Sequence, residues 1–156
     1  MTALKGTVLR DIGAIGRTIQ YLFDARYRQL GLQKGQFIFL TRICEHPGIN
    51  LNRLAELARV DKTTATKAVQ KLESLGYIDK VTDAEDARAR LLTASPKARE
   101  IYGIIIEEEN RNLDVCLADF SAEEIELASA LLGRMRANLD RSREAMAGPE
   151  GAEDRP

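Results

Sequence analysis

Residues 51–93 limit what this chain can fold into more than any other stretch. The run from Leu51 to Ala58 has its apolar residues at helical spacing, and Arg59-Val60-Asp61 makes a short joint. A second helical run follows from Lys62 to Glu73, and Leu75-Gly76-Tyr77-Ile78 reads as a helix stop leading into extended chain. Ile78, Lys80 and Thr82 alternate with Asp79 and Val81, as in a short strand, and Arg90-Leu-Leu-Thr93 fits the returning strand. Between them lies the charged turn Asp83-Ala-Glu-Asp-Ala-Arg88.

Two helices at a tight turn, closed by a ribbon with a basic tip, are the parts of a winged helix-turn-helix. Leu54, Ala55, Ala58, Val60, Ala65, Ala68 and Val69 supply the small and apolar contacts that hold one helix across the other. Asp61 stands where a carboxylate can accept from free amides and cap the second helix. Lys62, Thr63, Thr66, Lys67 and Gln70 then share the opposite face. A plain solvated face would favour Ala, Glu, Lys and Arg, so a threonine-rich face points instead to DNA reading. At the hairpin, Arg88 is placed to enter a minor groove, with Asp83, Glu85 and Asp86 orienting it. Taken alone, that segment would pass for an ordinary polar turn.

Asp61-Lys-Thr-Thr-Ala-Thr-Lys67, Leu72-Glu73, Gly76-Tyr77-Ile78, Asp83-Ala-Glu-Asp-Ala-Arg88 and Ser95-Pro96-Lys97 together resemble the MarR family of bacterial transcriptional regulators. The resemblance runs from the first helix to about residue 146. It implies a homodimer on double-stranded DNA, with recognition helices in successive major grooves and wings in the flanking minor grooves. It places Thr63, Thr64, Thr66 and Lys67 in the groove-reading helix, and Asp86 and Arg88 at the wing tip. With Lys62, Gln70, Lys71 and Arg90 these make up the candidate DNA-binding set. Two positions depart from the pattern. Ala87 stands where the family often has a second basic residue, and Arg59 where many members have glycine.

The remainder of the chain reads as long helices. Leu4, Val8, Ile12, Ile15, Ile19, Leu22, Phe23 and Leu30 form an apolar stripe over residues 4–30, and Gly31 fits a C-terminal stop. That stripe exceeds what one small lobe needs, so part of it is expected to face a partner chain. Gln36 to Glu45 reads as a shorter helix with Phe37, Leu40, Ile43 and Cys44 inward; Pro47-Gly48 ends it and Asn50 caps the next. Ser95 and Pro96 open a helix to about Asp119, and Ser121-Ala-Glu-Glu124 is a capping box for a last helix to about Met146. The expected fold is mainly α with a small β-hairpin wing. Residues 1–34 make an N-terminal dimerisation helix, 35–94 the winged lobe, 95–147 C-terminal dimerisation helices and 148–156 a loose tail.

Composition narrows the function. At 156 residues, 44% apolar and 30% charged, the chain can bury a core. It has no run apolar enough to span a membrane and no signal-like start, which makes the cytoplasm the default location. Cys44 and Cys116 do not make a disulfide framework and read as small core residues, with a redox switch as the rival. Net charge is −1, and over residues 59–90 seven basic residues oppose six acidic ones. Attraction for phosphate must therefore rest on how charge is distributed. With His46 the sole histidine, no catalytic constellation, metal site or cofactor is expected.

The resemblance also implies a cleft able to take a small aromatic or phenolic acid. Phe23, Tyr27, Phe37 and Phe39 would line it and Arg26 would meet the anion; equally, the rings are simply core. The expected function is a homodimeric repressor on a pseudo-palindromic operator, released by a small ligand. The alternative is a helical dimerisation or adaptor protein of the same fold with little DNA affinity.

Overall fold

The structure is a computed structural model that describes residues 4–32, 35–82 and 90–147. It is mainly helical with one small antiparallel sheet. In chain order the elements are α1 (Val8–Tyr27), a 3-10 turn (Arg28–Leu30), α2 (Gln36–Glu45), β1 (Ile49–Asn50), α3 (Leu51–Ala58) and α4 (Lys62–Ser74). They continue with β2 (Ile78–Thr82), β3 (Arg90–Ala94), α5 (Pro96–Cys116) and α6 (Ala122–Ala147). The expected hairpin tip, with Asp83, Glu85, Asp86, Ala87 and Arg88, lies outside the described residues, as does the tail 148–156.

Local chemistry accounts for the boundaries. Asn50 Oδ1 accepts from the Arg53 amide at 2.9 Å and starts α3. Arg59 ends it in the left-handed region (φ 57°, ψ 42°), its amide donating to Glu56 and that of Val60 to Ala55. This is the usual glycine-type stop made by an arginine. Gly76 (φ 72°) closes α4 in the same way, with the Tyr77 amide on the Leu72 carbonyl. The first helix is shorter than the apolar stripe implied. It gives way at Arg28 to a 3-10 turn that Gly31 (φ 73°) terminates, with the Gly31 amide on the Arg28 carbonyl. Ser95 Oγ accepts from the Ala98 amide at 3.2 Å and donates to the Gly76 carbonyl at 2.8 Å, so it caps α5 and ties it to the end of α4. That helix stops at Cys116, three residues before the expected Asp119, which itself takes a positive φ of 67°. The capping box at α6 is reciprocal: the Glu124 amide donates to Ser121 Oγ and the Ser121 amide to the Glu124 carboxylate.

The sheet has the order β1-β3-β2, all antiparallel. Sequence reasoning anticipated β2 and β3 but not β1, which is two residues long and carries no periodicity to detect. Ile49 and Asn50 pair with Leu92 and Leu91, and Ile78 to Thr82 pair with Ala94 to Arg90. Ile78 and Leu92 turn inward, while the side chains of residues 79–82 on β2 face solvent.

Two compact units emerge, residues 1–112 and 113–156. The first holds the core: Leu32, Leu40, Ile43, Leu54, Ala65, Leu72, Tyr77 and Leu92 are all buried in one apolar cluster. From α1 only Phe23 and Tyr27 join it, and from α5 Ala98, Ile101 and Ile105. Burial goes nearly all round α2, including Phe39 and Thr41, whose hydroxyl donates to the Ile38 carbonyl at 3.0 Å. Cys44 is half-buried and packs against this core. In the second unit, α6 buries none of its described side chains; Leu127, Leu131, Leu132 and Leu139 stand exposed. Among the described residues no helix is long and apolar enough to cross a membrane.

Candidate nucleic-acid interface

The helix-turn-helix presents one face of α4 to solvent because the other is filled. Ala65, Ala68, Val69 and Leu72 are buried, and the two alanines let α3 approach closely. Lys62, Thr63, Thr64, Lys67, Gln70 and Lys71 are exposed, and Thr66 is half-buried at the edge of the same surface. The structure thus brings together on one helix the seven candidate residues that lie within it.

Electrostatics sharpen this face. Asp61 Oδ1 accepts from the Thr64 amide at 2.8 Å and Oδ2 from the Thr64 hydroxyl at 2.7 Å. These bonds hold the Asp61 carboxyl below its ordinary value, so it stays ionised but is turned into the cap. Glu73, the other acid of α4, is paired with Lys80 of β2 at 2.6 Å. Among the described residues Lys62, Lys67 and Lys71 have no ion pair. Along α4 and its cap the charge is therefore sorted, with Asp61 and Glu73 engaged and Lys62, Lys67 and Lys71 facing solvent. The free amides at the N-terminus of α4 add positive potential to the same end.

Beyond the helix, Arg90 opens β3 opposite Thr82, and its guanidinium donates to the Thr82 hydroxyl at the base of the wing. Asp86 and Arg88 lie outside the described residues. Sequence reasoning missed the group that fixes the wing to the body. Tyr77 donates its hydroxyl to the Leu30 carbonyl at 2.9 Å, while Lys97 Nζ lies 4.4 Å from the Tyr77 ring centroid and donates to the Leu75 carbonyl at 2.7 Å. The Gly76-Tyr77 and Pro96-Lys97 pairs marked these positions without revealing the contact.

The residues considered for a ligand pack as core. Phe23 meets Phe37 with ring centroids 4.4 Å apart and Tyr27 at 5.6 Å, and Tyr27 lies 5.9 Å from Phe37. Phe39 is buried in the same cluster. Burial, reinforced by Glu108 and Glu109, pushes the Tyr27 phenol well above its ordinary value. Arg26 Nε stands 3.5 Å from Glu108, which also pairs with Arg111. Of the cysteines, Cys116 is exposed, and burial pushes the Cys44 thiol up, away from the reactive thiolate.

Comparison with known proteins gives consistent matches. The MarR family model matches residues 30–89. The HTH-type transcriptional regulator YybA of Bacillus subtilis is 38% identical over 134 residues, spanning 86% of this chain and 89% of its own. Among solved structures, a MarR protein from Peptoclostridium difficile superposes with a TM-score of 0.86 at 45% identity, covering 91% of this chain and 93% of its own. A MarR family transcriptional regulator from Listeria monocytogenes, complexed with a 26mer DNA, gives 0.85 at 33% identity, covering 95% and 97%.

Proposed function

The chain belongs to the MarR family of transcriptional regulators, and from that premise we propose that it represses transcription as a homodimer on a pseudo-palindromic operator. The observation that carries this reading is the sorted face of α4, where Lys62, Lys67 and Lys71 have no ion pair among the described residues and stand beside Thr63, Thr66 and Gln70. Lysines meet phosphates and the polar side chains meet base edges when such a helix enters a major groove. The Listeria structural relative, complexed with a 26mer DNA, supports DNA as the partner. Arg90, Arg88 and Asp86 would extend the contact along the wing into the minor groove. Occupying the operator in this way excludes polymerase.

The dimer rests on apolar surface that one chain leaves uncovered. Val8, Leu9, Ile15, Tyr21 and Leu22 on α1 and Leu127, Leu131, Leu132 and Leu139 on α6 are exposed at helical spacing. Burial of such stripes against a second copy gives a twofold assembly, with half-sites about 34 Å apart, one helical turn of DNA. Ligand release belongs to the same proposal. The Phe23, Tyr27 and Phe37 rings join α1 to α2. An aromatic acid inserted among them, its anion drawing Arg26 from Glu108, would shift α1 against the reading lobe. It need only favour a dimer with the wrong half-site spacing.

The test is selection of bound sequences from a random duplex pool across a salt series. An enriched palindrome with half-sites one turn apart is expected. Binding without enrichment would replace the repressor with a non-specific architectural protein. Absence of binding at low salt would leave a dimerisation or adaptor protein of the same fold.

A further inference from the structure

Three threonines open α4, and their hydroxyls meet three different fates. The hydroxyl of Thr64 donates to Asp61 Oδ2 at 2.7 Å, so its proton is committed to the helix cap. Thr66 donates to the Lys62 carbonyl, one turn back, also at 2.7 Å. Thr63 is exposed, and its hydroxyl makes no hydrogen bond among the described residues. A hydroxyl has a single proton. Once that proton is turned into the helix, the side chain offers a groove only oxygen lone pairs and a methyl group.

Base edges discriminate sharply between such side chains. In the major groove guanine shows two acceptors, which a proton-committed hydroxyl cannot serve. An A·T pair shows the adenine amino donor and the thymine methyl. A C·G pair shows an amino donor but no methyl. Turning the Thr66 proton outward to a guanine would forfeit its bond to the Lys62 carbonyl, so guanine starts at a disadvantage. We infer that Thr66 is a specificity-determining residue that selects an A·T pair at the position it faces. Thr63 is the threonine with a proton available for a base, whereas the Thr64 proton is held by the cap. The inference rests on the major-groove placement of α4 proposed above.

The experiment repeats the duplex selection with the full chain and its T66V, T66S, T63V and T64V variants, with thermal unfolding as a check on folding. The wild type is expected to enrich a palindrome in which one A·T preference in each half-site weakens about three- to tenfold in T66V, the worth of one neutral hydrogen bond. T63V is expected to alter a different position. T64V is expected to unfold at a lower temperature, since it loses the hydroxyl bond to the cap. The thymine methyl is probed from the DNA side: deoxyuridine in place of thymidine at that position weakens the wild type and leaves T66S unaffected. That comparison stands even if T66V fails to fold.

An unchanged preference in T66V together with equal sensitivity of wild type and T66S to deoxyuridine would overturn the assignment. So would a G·C pair at the position Thr66 controls. A wild type that enriches no sequence would remove the groove placement itself, and the inference with it. The two failures are thus distinguishable.

Discussion

Two buried tyrosines allow the hydrogen-bond account of this fold to be tested by deleting one atom at a time. Tyr77 and Tyr27 are each 1% exposed, and each directs its hydroxyl at a backbone carbonyl. Tyr77 reaches Leu30 at 2.9 Å, whereas Tyr27 is 3.5 Å from Ile105, the limit at which a bond is still counted. Tyr77→Phe removes a well-formed bond and leaves the partly buried Leu30 carbonyl without that donor, while the ring stays in place under Lys97. The expected cost is about 1–1.5 kcal/mol, the lost bond plus part of the desolvation left unbalanced. Tyr27→Phe deletes the same atom from an equally buried site, but with little bond to lose, and should cost less than about 0.5 kcal/mol. Urea unfolding reads the difference as a shift of midpoint at constant slope. Protomer concentration must be held equal, since association stabilises the folded chain. Equal costs for the two variants, or a neutral Tyr77→Phe, would refute the claim that this bond fastens the wing to the 3-10 turn.

Glu109 gives a pH signature. Burial holds its carboxyl above the ordinary value, with Arg42 opposing and Glu45 adding to the rise. A raised carboxyl penalises the folded chain above its folded pKa, and the penalty fades as pH falls towards the unfolded value. Glu109→Gln should therefore gain stability near pH 7, with the gain shrinking towards pH 4. A gain constant with pH would remove the charge as its cause.

The helix-turn-helix was legible in the sequence because its determinants are local. Asp61, Asn50, Ser95 and the Ser121–Glu124 box each act within three or four residues, and each cap forms where it was read. The alternation from Ile78 to Thr82 gave β2 for the same reason. Long-range partners were hidden. Nothing in Tyr77 names Leu30, and nothing in Ile49-Asn50 names Leu92-Leu91, since these meet only after the chain has folded back. For the candidate interface, the sequence placed the α4 residues on one face but could not distinguish their hydroxyls. Whether a threonine donates to Asp61, to a carbonyl one turn back or to neither depends on rotamers, which spacing does not encode. Charge was misleading in bulk for a similar reason, because a count of acids does not show that Asp61 and Glu73 are already engaged.

The connection between α2 and α3 has no slack. Asn50 pairs with Leu91 as the last residue of β1 and, one peptide later, caps α3, while Ile49 fills the core and the Gly48 amide holds the Leu92 carbonyl at 3.0 Å. Inserting one residue between Pro47 and Leu51 cannot be absorbed as a longer loop. It would either turn Ile49 out of the core by the two-residue alternation of a strand or strip the cap from the helix. Homologous chains should accordingly vary the length of this segment far less than its surface position would permit, and a library of single-residue insertions should show a gap of tolerance there, bounded on both sides by exposed positions that accept them.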